Sequence, residues 1–227
     1  MGMNESELDR VVAELKGCVG IRLQNVYQPA RDRVVLGLSD GRFLLIVPRG
    51  PHSRLHTVRA RPRNPSKPFS FQGACRAHLG GQITAIHKIP AERIVDLWFG
   101  TKRLHVRLTG RSGGLWLLEG DTVRAAYDGP SPSRLPNLVP RIPNDDVPRF
   151  APAEGEDWDR AADKWFGRQE RGQRLDEQRV QTRRRLRRHF ARKMRLRDHL
   201  NDDLDRASEA PTLRGQADTL AANLHWI

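Results

Sequence analysis

Seven prolines fall within residues 129–153 of this 227-residue chain, and neither helical nor strand periodicity accompanies them. Proline fixes φ and lacks an N–H donor, so this segment is predicted to be an extended linker. Before this segment, apolar residues occur in short runs typical of strands, and after it they occur at helical spacing. We therefore predict an α+β domain at residues 1–130, a proline-rich linker at 131–155 and a basic helical arm at 156–227.

The first region is predicted to be an antiparallel β-sandwich-like domain. It contains short runs rich in β-branched and apolar residues, separated by turn residues such as Asp40-Gly41 and Gly120-Asp121. Strands are expected at 19–28, 33–39, 42–48, 54–60, 82–89, 93–99, 103–109, 115–120 and 122–127. Two helices are predicted, one at 4–16 from apolar residues at helical spacing and one at 69–79 that Gly80-Gly81 would close.

The region after the linker is predicted to form a long helix, because residues 157–206 contain no proline. A broken apolar stripe runs along it, formed by Leu175, Thr182, Leu186, Phe190, Leu196, Leu200, Leu204 and Ala207. Lys193 interrupts this seam, so the helix would be an imperfect coiled coil. Pro211 is predicted to end the helix, with a second short helix at 213–227. Because the stripe has no evident partner in the sequence, we expect self-association or a partner chain.

Positive charge is concentrated in the arm. The chain has 40 Lys+Arg and 27 Asp+Glu, a net charge of +13, and residues 171–200 alone carry +9. Such a density predicts a polyanionic partner such as nucleic acid. A merely solvated coiled-coil surface is the alternative. A membrane surface is a weaker alternative, because few apolar residues lie within the basic run.

Several classes of site have no counterpart in the sequence. Cys18 and Cys75 are isolated, no zinc spacing occurs, and no Walker loop, HEXXH, Rossmann or nucleophile-elbow motif is present. We therefore expect no catalytic residues, no metal and no cofactor. No run of 18 apolar residues and no signal-peptide pattern is found. These patterns favour a cytoplasmic protein that has no membrane partner.

The order of several short sequences is informative. They are "NVYQP" (25–29), "RLHT" (54–57), "FSFQGACRAHLGGQI" (69–83), "ERIVDLWF" (92–99), "RLTGRSGGLWLLEGD" (107–121) and "ADTLAANL" (217–224). Together they resemble the NFACT family, the group of RqcH, NEMF and the fibronectin-binding protein A homologues. The resemblance covers about 10–128 and 171–225. It implies an amino-terminal domain similar to that of formamidopyrimidine-type DNA glycosylases, followed by a coiled-coil arm.

The resemblance also implies binding residues. Arg76 matches a family R-x-H-L motif, Glu92-Arg93 aligns with an Asp-Arg pair, and Arg111 belongs to an L-x-G-R motif. These four residues are expected to bind tRNA. In the last motif, Gly114 stands where the family has asparagine. In the arm, ribosomal RNA is expected to contact Arg183, Arg184, Arg187, Arg188, Arg192 and Lys193.

The family's role implies the function. We expect a non-enzymatic factor that binds tRNA and the large ribosomal subunit and supports carboxy-terminal tailing of stalled nascent chains. The chain is expected to be truncated, because a returning coiled-coil helix and an RNA-binding domain are not seen. A glycosylase-like repair protein and a surface adhesin are the alternatives. The first is disfavoured because Met1-Gly2 replaces the Pro-Glu start that such glycosylases use.

Overall fold

The computed structural model describes residues 2–61, 63–109, 113–127, 135 and 146–224. The chain forms two compact units, Met1–Glu170 and Arg171–Ile227. The first unit contains two antiparallel sheets and two helices, and a long helix completes the described structure. The predicted fold class, an α+β domain followed by a long basic helix, is confirmed.

The first sheet has four strands in chain order, each antiparallel to the next. They are β1 (Leu23–Ala30), β2 (Arg33–Leu38), β3 (Phe43–Val47) and β4 (Arg54–Val58). β1 begins four residues later than predicted, because the 3₁₀ helix Lys16–Cys18 is followed by a turn at Val19-Gly20, where Gly20 has φ of 86°. Gly41 turns between β2 and β3 with φ of 84°. Only glycine adopts this conformation without strain, as Asp40-Gly41 predicted.

The second sheet has five strands, also in chain order and antiparallel. They are β5 (Ala85–Lys88), β6 (Ile94–Phe99), β7 (Lys102–Arg107), β8 (Gly114–Glu119) and β9 (Thr122–Ala126). Glu119 pairs with Thr122, so Gly120-Asp121 is the predicted two-residue turn. Every strand expected from the apolar and β-branched runs is therefore present, with shifts at the ends.

Two helices complete the first unit, α1 (Glu5–Leu15) and α2 (Ser70–His78). The N-terminus of α1 has a capping box: the Asn4 side chain accepts from the Glu7 N–H, and the Glu7 carboxylate accepts from the Asn4 N–H, each at 2.9 Å. Glu7 is fully buried and also binds Arg149, with Nη2 to Oε2 at 2.6 Å. The segment around Arg149 is thus tied to α1.

One apolar core joins the two sheets with the helices. It comprises alternate residues of the strands, such as Leu36 and Ile46 of the first sheet and Leu97 and Leu104 of the second, together with the apolar face of α1. Phe150, which lies within the segment predicted as a linker, is buried in the same core. The faces turned away from this core carry smaller clusters. We call these the outer faces of the two sheets.

The long helix α3 runs from Trp158 to Asn223. Its N-terminus is capped by α1, because the Glu14 carboxylate accepts from the N–H groups of Trp158 and Asp159 at 2.7 and 2.8 Å. Phe166 is fully buried and stacks on His56, with ring centroids 6.3 Å apart. The start of α3 is thus an integral part of the first unit.

The predicted break at Pro211 is wrong, because Pro211 lies inside α3. A proline there removes one N–H donor and leaves the carbonyl of Ala207 without its helical partner. Both residues are in the exposed part of the helix, where water can hydrogen-bond that carbonyl. Alanine and leucine on either side favour the helix, so it continues.

Candidate nucleic-acid interface

The basic segment of α3, residues 171–200, is exposed at every position. It holds twelve Lys or Arg and three acidic residues. Six of these cations were predicted to contact ribosomal RNA: Arg183, Arg184, Arg187, Arg188, Arg192 and Lys193. None of the six makes an ion pair or hydrogen bond with a described residue, whereas Arg179 and Arg197 each lie beside an aspartate. Their charges are therefore not neutralised within the described chain.

The helix turns about 100° per residue, which separates its side chains into two sides. Arg183, Arg184, Arg187, Arg188 and Arg192 fall within about half of the circumference. We call these five residues the basic side. Leu186, Leu200 and Leu204 fall on the opposite half, and Lys193 interrupts them there. The arm thus presents a cationic side and an exposed apolar side.

The Glu92-Arg93 pair lies in the turn before β6. Ala91 has φ of 59°, a left-handed conformation that is strained for alanine. Glu92 is buried and its Oε1 has no hydrogen-bond partner. Arg93 donates from Nη1 to the Met3 carbonyl at 3.2 Å. Of this pair, only part of Arg93 is exposed.

The glycine-rich loop leaves the second sheet beside this pair. The Leu108 N–H donates to the Arg93 carbonyl at 2.8 Å, and the loop follows directly. Arg111 lies outside the described residues. On the far side of the loop, Arg49 Nε donates to the Gly113 carbonyl at 2.6 Å. The fold therefore brings the Glu92-Arg93 pair and both ends of the predicted Arg111 loop to one end of the second sheet.

The two glycines that close this loop are required by close packing. A Cβ on Gly113 would lie 2.1 Å from the Pro48 carbonyl oxygen, and one on Gly114 would lie 2.3 Å from Cη2 of Trp116. Neither position has room for a side chain. The Trp116 ring occupies the space that a side chain at position 114 would need. This explains why glycine stands there in place of the family's asparagine.

A row of charged side chains crosses the outer face near the same end, and sequence reasoning missed it. Arg107 Nε donates to His105 Nε2 at 3.0 Å. Since arginine only donates, His105 carries its proton on Nδ1 and donates it to Asp96 Oδ1 at 2.6 Å. Burial lowers the pKa of Arg107, while the charges of Glu92 and Asp96 raise it. The signal in the sequence was one charged residue, Asp96, within an otherwise apolar strand.

Arg76 is placed elsewhere. It lies on α2 and donates from Nε to the Val26 carbonyl of β1 at 3.0 Å, beside Gln72, which donates to the same oxygen at 2.9 Å. β1 is an edge strand, so these side chains pair a carbonyl that no strand would reach. Arg76 therefore has a structural role at the first sheet and does not join the Glu92-Arg93 pair there.

The described residues were also searched for a metal site, a reactive thiol and a membrane-spanning helix. No group of three or more His, Cys, Asp or Glu in this part of the chain could hold a metal ion. Cys18 and Cys75 are free and buried, and burial raises the pKa of both thiols, which makes them unreactive. Among the described helices, none has a stretch that is both long and apolar enough to cross a bilayer.

Fold and site together define an α+β domain that continues into a long, exposed basic helix. The chain belongs to the NFACT family: the family model of the NFACT N-terminal and middle domains matches residues 6–125. This confirms the resemblance that the ordered motifs indicated. The comparison with curated proteins found no significant match.

Solved structures share the fold. One is the N-terminal domain of the fibronectin-binding protein PavA from Streptococcus pneumoniae, with 18% identity and a TM-score of 0.54 over 63% of this chain and 64% of that one. Another is the N-terminal part of the fibronectin/fibrinogen-binding protein from Streptococcus suis, with 22% identity and a TM-score of 0.52 over 61% and 60%. This chain thus spans less than two thirds of each of these structures. Their similarity concerns the fold alone.

Proposed function

We propose that this chain is a non-enzymatic RNA-binding factor of the ribosome quality-control class. In this proposal it acts in the cytoplasm, contacts large-subunit ribosomal RNA through the arm and tRNA through the first unit, and supports carboxy-terminal tailing of stalled nascent chains. Membership of the NFACT family supports the class. The observation that carries the RNA contact is the basic side, whose five arginines are exposed and have no carboxylate partner among the described residues.

The chemistry of the basic side suits a phosphate backbone. A guanidinium presents a planar fork of donors that matches phosphate oxygens, and it stays charged at every relevant pH. Binding would release the counterions condensed on RNA, and no internal ion pair would have to break first. Lys193, on the other side of the helix, would meet RNA only where the helix is contacted on both sides.

For tRNA we propose the end of the second sheet where Glu92 and Arg93 meet the two residues, 109 and 113, that flank the Arg111 segment. The buried Glu92 oxygen without a partner would accept a hydrogen bond from an amino or hydroxyl group of the nucleic acid. Arg76 remains a proposed tRNA contact through the exposed part of its side chain. Fibronectin binding is stated in the names of the two solved relatives, and no observation on the described residues favours it for this chain.

Salt dependence tests the arm. Changing Arg183, Arg184, Arg187 and Arg188 to Gln should make the log–log salt slope of ribosomal RNA binding shallower by up to about 3, since each neutralised phosphate contributes roughly 0.7–0.9. The measurement is the anisotropy of a labelled ribosomal RNA fragment over a range of salt concentrations.

The chain offers a charge-matched control for this experiment. Arg160, Arg179, Arg197 and Arg206 also lie on α3, but each is within 4 Å of an aspartate, at 3.6, 3.4, 2.6 and 3.8 Å. Changing these four to Gln should alter the slope much less. An unchanged slope in the first variant, or an equal change in the control, would show that the basic side is only a solvated surface.

A further inference from the structure

The outer face of the second sheet carries an unusual pair at the end opposite the Glu92-Arg93 turn. Trp98 of β6 is paired directly with Arg103 of β7, and the neighbours in the same row are Ala85 and Leu118. Directly paired residues share a face, so these four side chains lie side by side. Leu97 and Leu104 point the other way, into the core.

Arg103 is poorly satisfied within the protein. Its guanidinium lies over the Trp98 ring, with Cζ 5.0 Å from the centroid, and it makes no hydrogen bond to any residue that the structure describes. Its Nε is buried and has no partner, and the nearest carboxylate oxygen, Asp96 Oδ2, is 3.8 Å from Nη1. A guanidinium without hydrogen-bond acceptors is unfavourable, so an acceptor that reaches its exposed part from outside would stabilise this arrangement.

Solvent reaches the pair. The Arg103 side chain is 20% exposed and Trp98 is half-buried. The position opposite Trp98 on the edge strand β5 is Ala85, whose side chain is too small to cover the indole, and the next residue of that face, His87, is exposed. Two flat groups, an indole on β6 and a guanidinium on β7, therefore lie together on an accessible part of the outer face.

We propose that Trp98 and Arg103 form a contact site for single-stranded RNA, in which a base stacks on the pair and the adjoining phosphate accepts from Arg103. Bases in single strands stack on aromatic rings and on guanidinium planes. A phosphate oxygen would accept from the exposed part of the Arg103 guanidinium. In a duplex the faces of the bases are covered by stacking on the neighbouring base pairs, so the site selects unpaired nucleotides.

This site differs from the proposed tRNA contact at the other end of the sheet. Arg103 and Arg107 are four residues apart on β7, about 13 Å in an extended strand. None of the residues predicted from the sequence to bind RNA belongs to the Trp98–Arg103 pair. The inference rests on the proposed function only in taking RNA as the partner, since the geometry itself requires a flat group and an anion.

The test uses the full chain and an end-labelled single-stranded RNA of eight nucleotides in mixed sequence, with binding followed by anisotropy. To exclude the arm, all measurements are repeated in the variant with Arg183, Arg184, Arg187 and Arg188 changed to Gln. Trp98→Leu and Arg103→Gln should each weaken binding about five- to twentyfold, as expected for loss of one stacked base. Trp98→Phe keeps a ring and should lose less than Trp98→Leu.

Arg124→Gln is the matched control. Arg124 is an exposed arginine of the same sheet that pairs with Glu119 at 3.0 Å, and its removal changes the charge equally. It should change affinity less than twofold. Arg103→Lys separates charge from stacking, because it keeps the cation but loses the planar group. Arg103→Gln removes no hydrogen bond to a residue that the structure describes, so its melting temperature should stay near that of the parent protein.

Three results would overturn the inference: no binding of the single strand, equal effects of Arg103→Gln and Arg124→Gln, or equal dependence of a duplex of the same sequence on Trp98. The two proposals fail separately. If the Trp98 variants bind the octanucleotide normally while the arm variant has a reduced salt slope, only this site is wrong. If the Trp98 variants lose binding while the slope is unchanged, the arm proposal is wrong and this site remains.

Discussion

The ring of Trp116 lies directly over Gly114, where a Cβ would be 2.3 Å from the ring atom Cη2. Arg107 covers the same ring, with Cζ 5.2 Å from the centroid. The tryptophan thus links the end of the glycine-rich loop to the charged row that runs through His105 to Asp96. A side chain at position 114 would displace the ring and, with it, the arginine.

We therefore expect Gly114→Asn, which restores the family's residue, to lower the free energy of unfolding by about 2–3 kcal/mol through overpacking. Urea denaturation measures the change. Combining it with Trp116→Leu should recover part of the loss, so the two effects will not add. Gly172→Asn, at an open position on α3, should change stability by less than about 0.5 kcal/mol. Simple additivity of the double variant would contradict the argument.

Arg93→Ala should weaken tRNA binding and leave ribosomal RNA binding through the arm nearly intact. Because Arg93 also donates to the Met3 carbonyl, we expect an accompanying loss of about 1 kcal/mol in unfolding free energy. Arg42→Ala is the control, since Arg42 likewise donates to a backbone carbonyl, that of Gly17 at 3.0 Å. If Arg42→Ala reduces tRNA binding as much, or if Arg93→Ala reduces both RNA activities equally, Arg93 is structural.

His56 should make the first unit less stable in mild acid. It is completely buried, and burial together with the neighbouring Arg54 lowers its pKa to about 3. Between pH 6.5 and 5 the unfolded state therefore takes up a proton that the folded state does not. This removes about 2 kcal/mol of unfolding free energy over that interval, and the stabilisation is present in full only above the unfolded pKa.

The measurement is urea denaturation at several pH values between 7 and 5. His56→Gln should flatten the dependence by that amount even if it lowers stability overall. His199→Gln removes an exposed histidine of α3 and should leave the dependence as in the parent protein. Burial raises the pKa of Asp159, which acts in the opposite direction, so the difference between variants isolates His56. An unchanged slope in His56→Gln would refute the assignment.

The apolar side of the arm should promote self-association when charge is screened. Leu200 and Leu204 are 53% and 67% exposed, and like charges on neighbouring arms repel at low salt. Sedimentation at low and moderate salt should show association growing with salt. Changing Leu186 and Leu200 to Ser should abolish it, whereas Val180→Ser, on another side of the helix, should not. A chain that stays monomeric at both salt concentrations would disprove this prediction.

Helices and strands that depend on residues close together in the sequence were predicted well. Strands β2 and β3 follow from short runs of β-branched and apolar residues around Asp40-Gly41, and α1 follows from the spacing of Leu8, Val11, Val12 and Leu15. The predicted break at Pro211 was wrong because the helix-forming residues around it outweigh the unfavourable free energy of one proline. The start of β1 was misplaced because Val19 and Ile21 favour a strand, whereas Gly20, with φ of 86°, forms a turn between them.

By itself, the sequence determined the order of the elements, the family and the basic side of the arm, because turn chemistry, apolar period and charge are properties of neighbouring residues. Only the tertiary structure decided that Glu92 is buried, that Arg107, His105 and Asp96 form one row, and that Arg103 lies on Trp98. These relationships cross strands. They depend on the register of β6 against β7, where a shift by one residue would turn every side chain to the other face.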